Sequence, residues 1–188
     1  YLIIHLHLNN EEAILSLQST VESLHRRGYR PFMADAPLKE NLAAGLIKIT
    51  EWEGKKPLID IMCGSGTLLI EAISQHLRIP NISKKNYLFK NWLDFSKTIY
   101  NKEISKIQNN SFRKQNFSKV IGYEIDREVF IQAKNNISLS GFSQYIEIHN
   151  KDFSNFQLDS QPGIIVCNPP YGKKLGEEKD LVELYLKI

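Results

Sequence analysis

The sequence has little cysteine, no long apolar run and no catalytic triad. Only Cys63 and Cys167 occur among its 188 residues, which excludes a disulfide-stapled scaffold and points to a reducing, cytoplasmic setting. No stretch approaches the ~18 apolar residues of a membrane span, so no membrane contact is expected. No basic flank or small-residue cleavage site accompanies Tyr1-Leu2-Ile3-Ile4, so no signal peptide is expected either. An initiator Met is lacking too, and the chain is expected to start inside a longer protein. There is no Ser/His/Asp set and no His/Cys cluster with metal-ligand spacing, so no metal is expected. His5 and His7 share one face of a strand, but no third ligand sits near them, and a solvated face is the expectation.

What is present suits one domain with a real core. Apolar residues make up 42% and charged residues 24%, at a mean hydropathy of −0.31. The net charge of +3 is unevenly spread. Residues 84–119 carry Lys84, Lys85, Lys90, Lys97, Lys102, Lys106, Arg113, Lys114 and Lys119 against Asp94 and Glu103. That segment is +7, and the remainder is −4.

Residues 1–17 read as a hairpin turning at Asn9–Glu12. A basic, aromatic stretch, Leu24–Arg30, leads to a helix start at Asp35-Ala36-Pro37, where Pro37 presets a first turn. Leu38, Leu42, Leu46, Ile49 and Trp52 form the predicted apolar stripe of that helix. Pro57–Ile61 reads as a buried strand, followed by a glycine loop and a helix bearing Leu68, Leu69, Ala72, Ile73 and Leu77. The basic insert, 79–119, predicts one amphipathic helix with Tyr100, Ile104 and Ile107 inward. Three further strands follow, Val120–Tyr123, Tyr145–Ile148 and Gly163–Val166. Between the first two lies a helix with Val129, Phe130, Ala133 and Ile137 inward and Gly141 as its stop. A last helix begins near Glu177. Alternation of this kind predicts an α/β, doubly wound, Rossmann-like parallel sheet, with ligands beyond the carboxyl ends of its strands.

Asp60-Ile61-Met62-Cys63-Gly64-Ser65-Gly66-Thr67 reads as strand, loop and helix start. It is not a Walker loop, because no Gly-Lys-Ser/Thr follows. It is also a poor dinucleotide fingerprint, because Leu69 stands where a third glycine belongs. S-adenosylmethionine (SAM) fits better. Backbone N–H groups around Gly64–Thr67 suit its carboxylate, and Asp60 suits its ammonium. Glu124, followed by Ile125, can accept from both ribose hydroxyls. Asp152 can accept from the adenine amino group, with Phe153 beside the ring. Cys63 adjoins the loop, but no His is placed to activate it.

Asn168-Pro169-Pro170-Tyr171 is the most specific feature. The prolines fix φ and remove N–H donors, so the turn presents acceptors. The Asn168 side chain and the Pro169 carbonyl can hold both hydrogens of an amino group on a flat ring, and Tyr171 can stack on that ring. A sulfonium methyl donor is already activated, so catalysis needs placement more than a strong base.

These residues, extended by Leu68-Leu69-Ile70-Glu71-Ala72 and by Gly172-Lys173-Lys174-Leu175-Gly176-Glu177, resemble the THUMP-associated class I RNA guanine-N2 methyltransferases, closest to the bacterial enzymes of large-subunit ribosomal RNA. Glu22–Arg30 and Ala36–Ala44 resemble the segment those enzymes carry before their first catalytic strand. The resemblance spans roughly residues 13–186. It implies a SAM-dependent enzyme acting on N2 of guanine in RNA. Gly64, Ser65 and Gly66 would lie at the methionine end, Glu124 at the ribose, Asp152 at the adenine and Asn168–Tyr171 around the guanine. It also implies an upstream THUMP domain. On this reading residues 1–35 are a hairpin and basic connector, and 36–188 are a methyltransferase domain lacking the last strands of a seven-stranded sheet. Adenine N6 and glutamine N5 stay open as acceptors, as does a SAM- or RNA-binding module without catalysis. The Arg26–Arg30 stretch and the basic insert favour nucleic acid. The insert's Tyr87, Phe89, Trp92, Phe95 and Tyr100 can face RNA or form a small satellite core.

Overall fold

The computed structural model describes residues 2–31, 38–79, 87–109, 117–156, 162–170 and 178–188, with the backbone alone for 178–181. At the N-terminus, β1 (Ile4–Asn9) and β2 (Glu12–Leu17) pair antiparallel through a two-residue turn, with Leu6 opposite Leu15 and His7 opposite Ile14. All twelve strand residues are exposed, including Ile4, Leu6, Leu8, Leu15 and Leu17 on one face. His5 bonds Gln18 through Nε2 at 2.7 Å, and no metal-binding cluster occurs among the described residues.

The second sheet is parallel. It contains β3 (Leu58–Asp60), β4 (Val120–Tyr123), β5 (Ile146–His149) and β6 (Ile164–Val166), in the order β5-β4-β3-β6. The chain starts at β3, steps outward twice, then returns to β3's other side. The switch point therefore lies between β3 and β6, where open α/β sheets place their ligands. This is the doubly wound sheet that the alternation predicts, with strand bounds shifted by a residue or so.

Helix α1 (Glu40–Ile49) packs on α2 (Thr67–His76), and α2 covers the sheet. The run Thr67–Ser74 is wholly buried, so α2 is the core of the domain. Each buried Leu or Ile there is worth about 1.5–3 kcal/mol relative to exposure. The predicted stripe holds at its ends, where Leu38 packs on the core and Trp52 is buried, and is corrected within α1. Ala43 and Ile47 are buried, whereas Leu42, Leu46 and Ile49 are 53%, 37% and 78% exposed. Small Ala43 lets α1 approach α2 closely, which rotates the leucines outward. The start predicted at Asp35–Pro37 falls outside the described residues; the described helix begins after Lys39.

In the insert, α3 (Lys97–Asn109) buries no residue fully. Tyr100 and Ile104 are half-buried, and Ile107 is exposed, against expectation. Tyr87, Phe89, Trp92, Phe95 and Tyr100 pack ring against ring into a small cluster, with the Lys90 ammonium 4.4 Å from the Tyr100 ring centre. The aromatics thus form the satellite core. The cluster is tied to the connector by a backbone bond from Leu88 N to Ser19 O at 2.9 Å. Lys84, Lys85, Arg113 and Lys114 lie outside the described residues. Helix α4 (Arg127–Ser140) starts at an Asp126 cap, whose carboxylate accepts from Glu128 N and Val129 N, and stops at Gly141. It buries Ala133 and Ile137 as predicted, with Val129 and Phe130 half-buried. Helix α5 (Glu178–Lys187) comes last. No helix among the described residues is long and apolar enough to cross a membrane.

Candidate active site

The four parallel strands end on one rim, and each described candidate residue sits at or just beyond one of those ends. Asp60 is the last residue of β3, and Cys63–Thr67 follow it. Glu124 and Ile125 follow β4, Asp152 and Phe153 follow β5, and Asn168, Pro169 and Pro170 follow β6. Tyr171 lies outside the described residues.

The glycine loop is tightly folded. Gly66 caps α2 at φ +82°, in the left-handed region that favours glycine, and its N–H donates to Cys63 O at 2.8 Å. Gly64 has φ +53°, and a Cβ built on it would meet nothing within 4 Å, so open space adjoins its backbone. Glu124 clamps this loop from the neighbouring strand. One carboxylate oxygen accepts from Gly64 N–H and the other from Asp126 N–H, both at 2.9 Å. Burial pushes the Glu124 carboxyl above its ordinary value, and the backbone donors oppose that rise.

Asp60 is fully enclosed at 1% exposure and accepts from Met62 N–H at 3.2 Å. Burial is the main force that pushes its carboxyl up to about 7; the Met62 bond opposes the rise and the Glu124 charge adds to it. The buried Cys63 thiol is pushed well up by burial and by both acids, so it is a core side chain rather than a nucleophile. Ile125 is 68% exposed on the rim. Asp152 accepts from Ser154 N–H at 2.7 Å, and that turn holds its carboxyl below the ordinary value. Phe153 packs against Ile59, Ile61 and Tyr123. Asn168, Pro169 and Pro170 are half-buried, next to the switch point.

Sequence reasoning missed four supports of the site. Asn136, wholly buried on α4, donates to Ser65 O at 3.1 Å. An Asn beside Ile137 on an apolar stripe was the available signal. Asn150 donates to Glu124 O and Ile125 O at 2.8 and 3.0 Å. Arg27 and Arg30 turn inward, which weakens the Arg26–Arg30 stretch as an argument against a protein substrate. Arg27 Nε lies 3.4 Å from the Glu71 carboxylate, which also accepts from the Tyr29 hydroxyl at 2.9 Å. The Arg30 guanidinium meets Glu40, Leu38 O and Thr67. Arg26 alone of the three arginines stays exposed.

The UPF0020 family of RMKL-like methyltransferase domains matches residues 27–188. The chain belongs to this family. Slr0064 of Synechocystis sp., whose name marks it as a candidate RNA methyltransferase, is 36% identical over 188 residues, covering 100% of this chain and 49% of that protein. The ribosomal RNA large subunit methyltransferase K/L of Vibrio parahaemolyticus is 37% identical over 187 residues, covering 97% of this chain and 26% of the relative. SMU.472, solved in complex with S-adenosylhomocysteine (SAH), superposes with a TM-score of 0.91 at 26% identity, over 99% of this chain and 48% of that one. The chain thus spans about half the length of slr0064 and about a quarter of the Vibrio protein. UPF0020 domains are SAM-dependent methyltransferases, and the fold of this one is the methyltransferase fold.

Proposed function

We propose that this UPF0020 domain transfers a methyl group from SAM to the exocyclic N2 amino group of a guanine in RNA, the large-subunit ribosomal RNA being the substrate. The observation that carries the reading is the single rim: the glycine loop, Glu124, Asp152 and the Asn168–Pro170 turn all follow ends of one parallel sheet, across its switch point. The rRNA name of the Vibrio relative supports the substrate class.

The chain's own groups fit such a cofactor. The open space beside Gly64 leaves room for a carboxylate against the glycine loop and the start of α2; the Gly64 and Gly66 N–H groups are held by Glu124 and Cys63 O, so Ser65 and Thr67 would be the donors. Asp60, enclosed at the end of β3, would reach the ammonium through water. Glu124 would take the ribose diol and Asp152 the adenine amino group, with Ile125 and Phe153 beside them. The bound cofactor supplies a methyl group on a positively charged sulfur. On the acceptor side, the Asn168 carboxamide oxygen and the Pro169 carbonyl accept the two amino hydrogens and so aim the nitrogen lone pair. Pro169 and Pro170 contribute no competing N–H. Tyr171 would stack on the base. Neither acceptor is basic, so the surplus proton leaves to solvent. In the longer protein, an upstream THUMP domain would share the grip on RNA.

Mass spectrometry of nucleosides from ribosomal RNA of cells with the full-length gene disrupted tests this reading. The expected result is loss of N2-methylguanosine at one position, restored by the gene. Loss of N6-methyladenosine with methylguanosine intact would overturn the guanine assignment, and an unchanged profile would overturn ribosomal RNA as the substrate.

A further inference from the structure

Arg30 is a buried cation in an unfavourable place. Its side chain is 4% exposed, and it meets the first turns of two helices, where helix dipoles repel positive charge. Nη1 donates to Leu38 O at 2.8 Å and to the Thr67 hydroxyl oxygen at 2.7 Å. Nη2 lies 3.3 Å from the Glu40 carboxylate, and Nε has no hydrogen-bond partner among the described residues. A buried ion pair of this kind is weak evidence for a stabilising role, since apolar side chains of similar volume often do as well. What an apolar side chain would not supply is direction at Thr67.

Thr67 is the first residue of α2, directly after Gly66, and its hydroxyl is 3.3 Å from that of Ser65. A hydroxyl has one proton. Arg30 already donates to the Thr67 oxygen, so that proton points away from Arg30, and the Ser65 hydroxyl, 3.3 Å away on the glycine loop, can either accept it or donate in turn. Donation by a cation also polarises the hydroxyl and strengthens it as a donor. We propose that Arg30 is a positioning residue for the cofactor: it fixes the Thr67 hydroxyl as a donor at the glycine loop and so raises affinity for the cofactor's amino-acid end. This rests on the reading that the SAM carboxylate lies along Gly64–Thr67. It also makes the connector before α1 a part of the cofactor site.

Calorimetry with two ligands tests it: SAH, and 5′-methylthioadenosine, which keeps the adenosine but lacks the amino-acid end. Arg30→Lys keeps a buried charge opposite Glu40, so it is the decisive variant. It should bind SAH about tenfold more weakly, the scale of one charge-assisted hydrogen bond, with methylthioadenosine within about twofold. Thr67→Val should show the same selective loss, Thr67→Ser should restore affinity, and Arg30→Lys with Thr67→Val should be no worse than Thr67→Val alone. Equal weakening of both ligands, or additive losses, would make Arg30 only a structural support and overturn the inference. Unchanged SAH affinity in Arg30→Lys would do the same. A wild-type chain that binds methylthioadenosine as tightly as SAH would instead take down the placement of the carboxylate.

Discussion

Among the described residues, the β3–β4 side of the rim carries side-chain ties from several elements, whereas none is described at Asn168–Pro170 beyond β6. Around the glycine loop, Glu124 holds Gly64, Asn136 holds Ser65, Arg30 holds Thr67, and Asn150 holds the backbone of Glu124 and Ile125. At Asn168–Pro170, by contrast, no hydrogen bond joins the Asn168 carboxamide to another described side chain. The difference matches what each side would hold. A small cofactor docks the same way every turnover, so fixing its donors and acceptors beforehand lowers the cost of ordering them on binding. A large acceptor brings its own ordered surface, and at Asn168–Pro170 the prolines themselves fix part of the backbone.

The comparison breaks most sharply at Asn168. Asn168→Ala should cut methyl transfer to ribosomal RNA about a thousandfold, as loss of one oriented polar group in a transition state can, while SAH affinity stays within about twofold. A parallel fall in SAH affinity would show that the two sides are not separate. On the β3–β4 side, Glu124→Ala removes the acceptor of two backbone N–H groups. It should weaken SAH about a hundredfold, the scale of two hydrogen bonds to a charge. Methylthioadenosine should weaken with it, because the ribose would be involved; retained methylthioadenosine affinity would refute the ribose role.

The smallest effect expected is a pH dependence from Asp60. Its carboxyl, at about 7 in the folded chain, has an ordinary value of 3.8. An ammonium favours the ionised form, so SAH affinity should rise several-fold from pH 6 to pH 8, and Asp60→Asn should flatten that rise. Stability runs the other way. Between about pH 4 and 7 the folded chain holds a proton that the unfolded chain has released, so stability falls as pH rises through that window and is level above it. Asp60→Asn, which keeps an acceptor for Met62 N–H, should therefore unfold at a higher temperature than wild type at pH 8. A lower unfolding temperature would mean that the ionised carboxylate is stabilised by contacts beyond Met62.

The parts of the molecule legible in the sequence are those written in local chemistry. Glycine, acid and proline mark the strand ends, and Asp126 and Gly141 mark the ends of α4, because each acts on backbone within a few residues. The misreadings share another cause. On α1 an apolar side chain lies on more than one face, and periodicity alone does not say whether Leu42 or Ala43 meets α2. Arg27 and Arg30 find Glu71 and Thr67 about forty residues away in the chain, and a run of basic residues carries no trace of such partners. Asn136 reaches Ser65 over a still longer separation. The rim was readable; the braces behind it were not.

The strand order also sets a timetable. The central strand β3 pairs with β6, roughly a hundred residues later in the chain. During synthesis at 5–20 residues per second, one edge of Leu58–Asp60 therefore waits roughly 5–20 s for its partner. Until Ile164–Val166 leave the ribosome, this buried apolar strand is an open edge of the kind that recruits neighbouring chains, and the turn that follows β6 joins the rim only when that edge is closed.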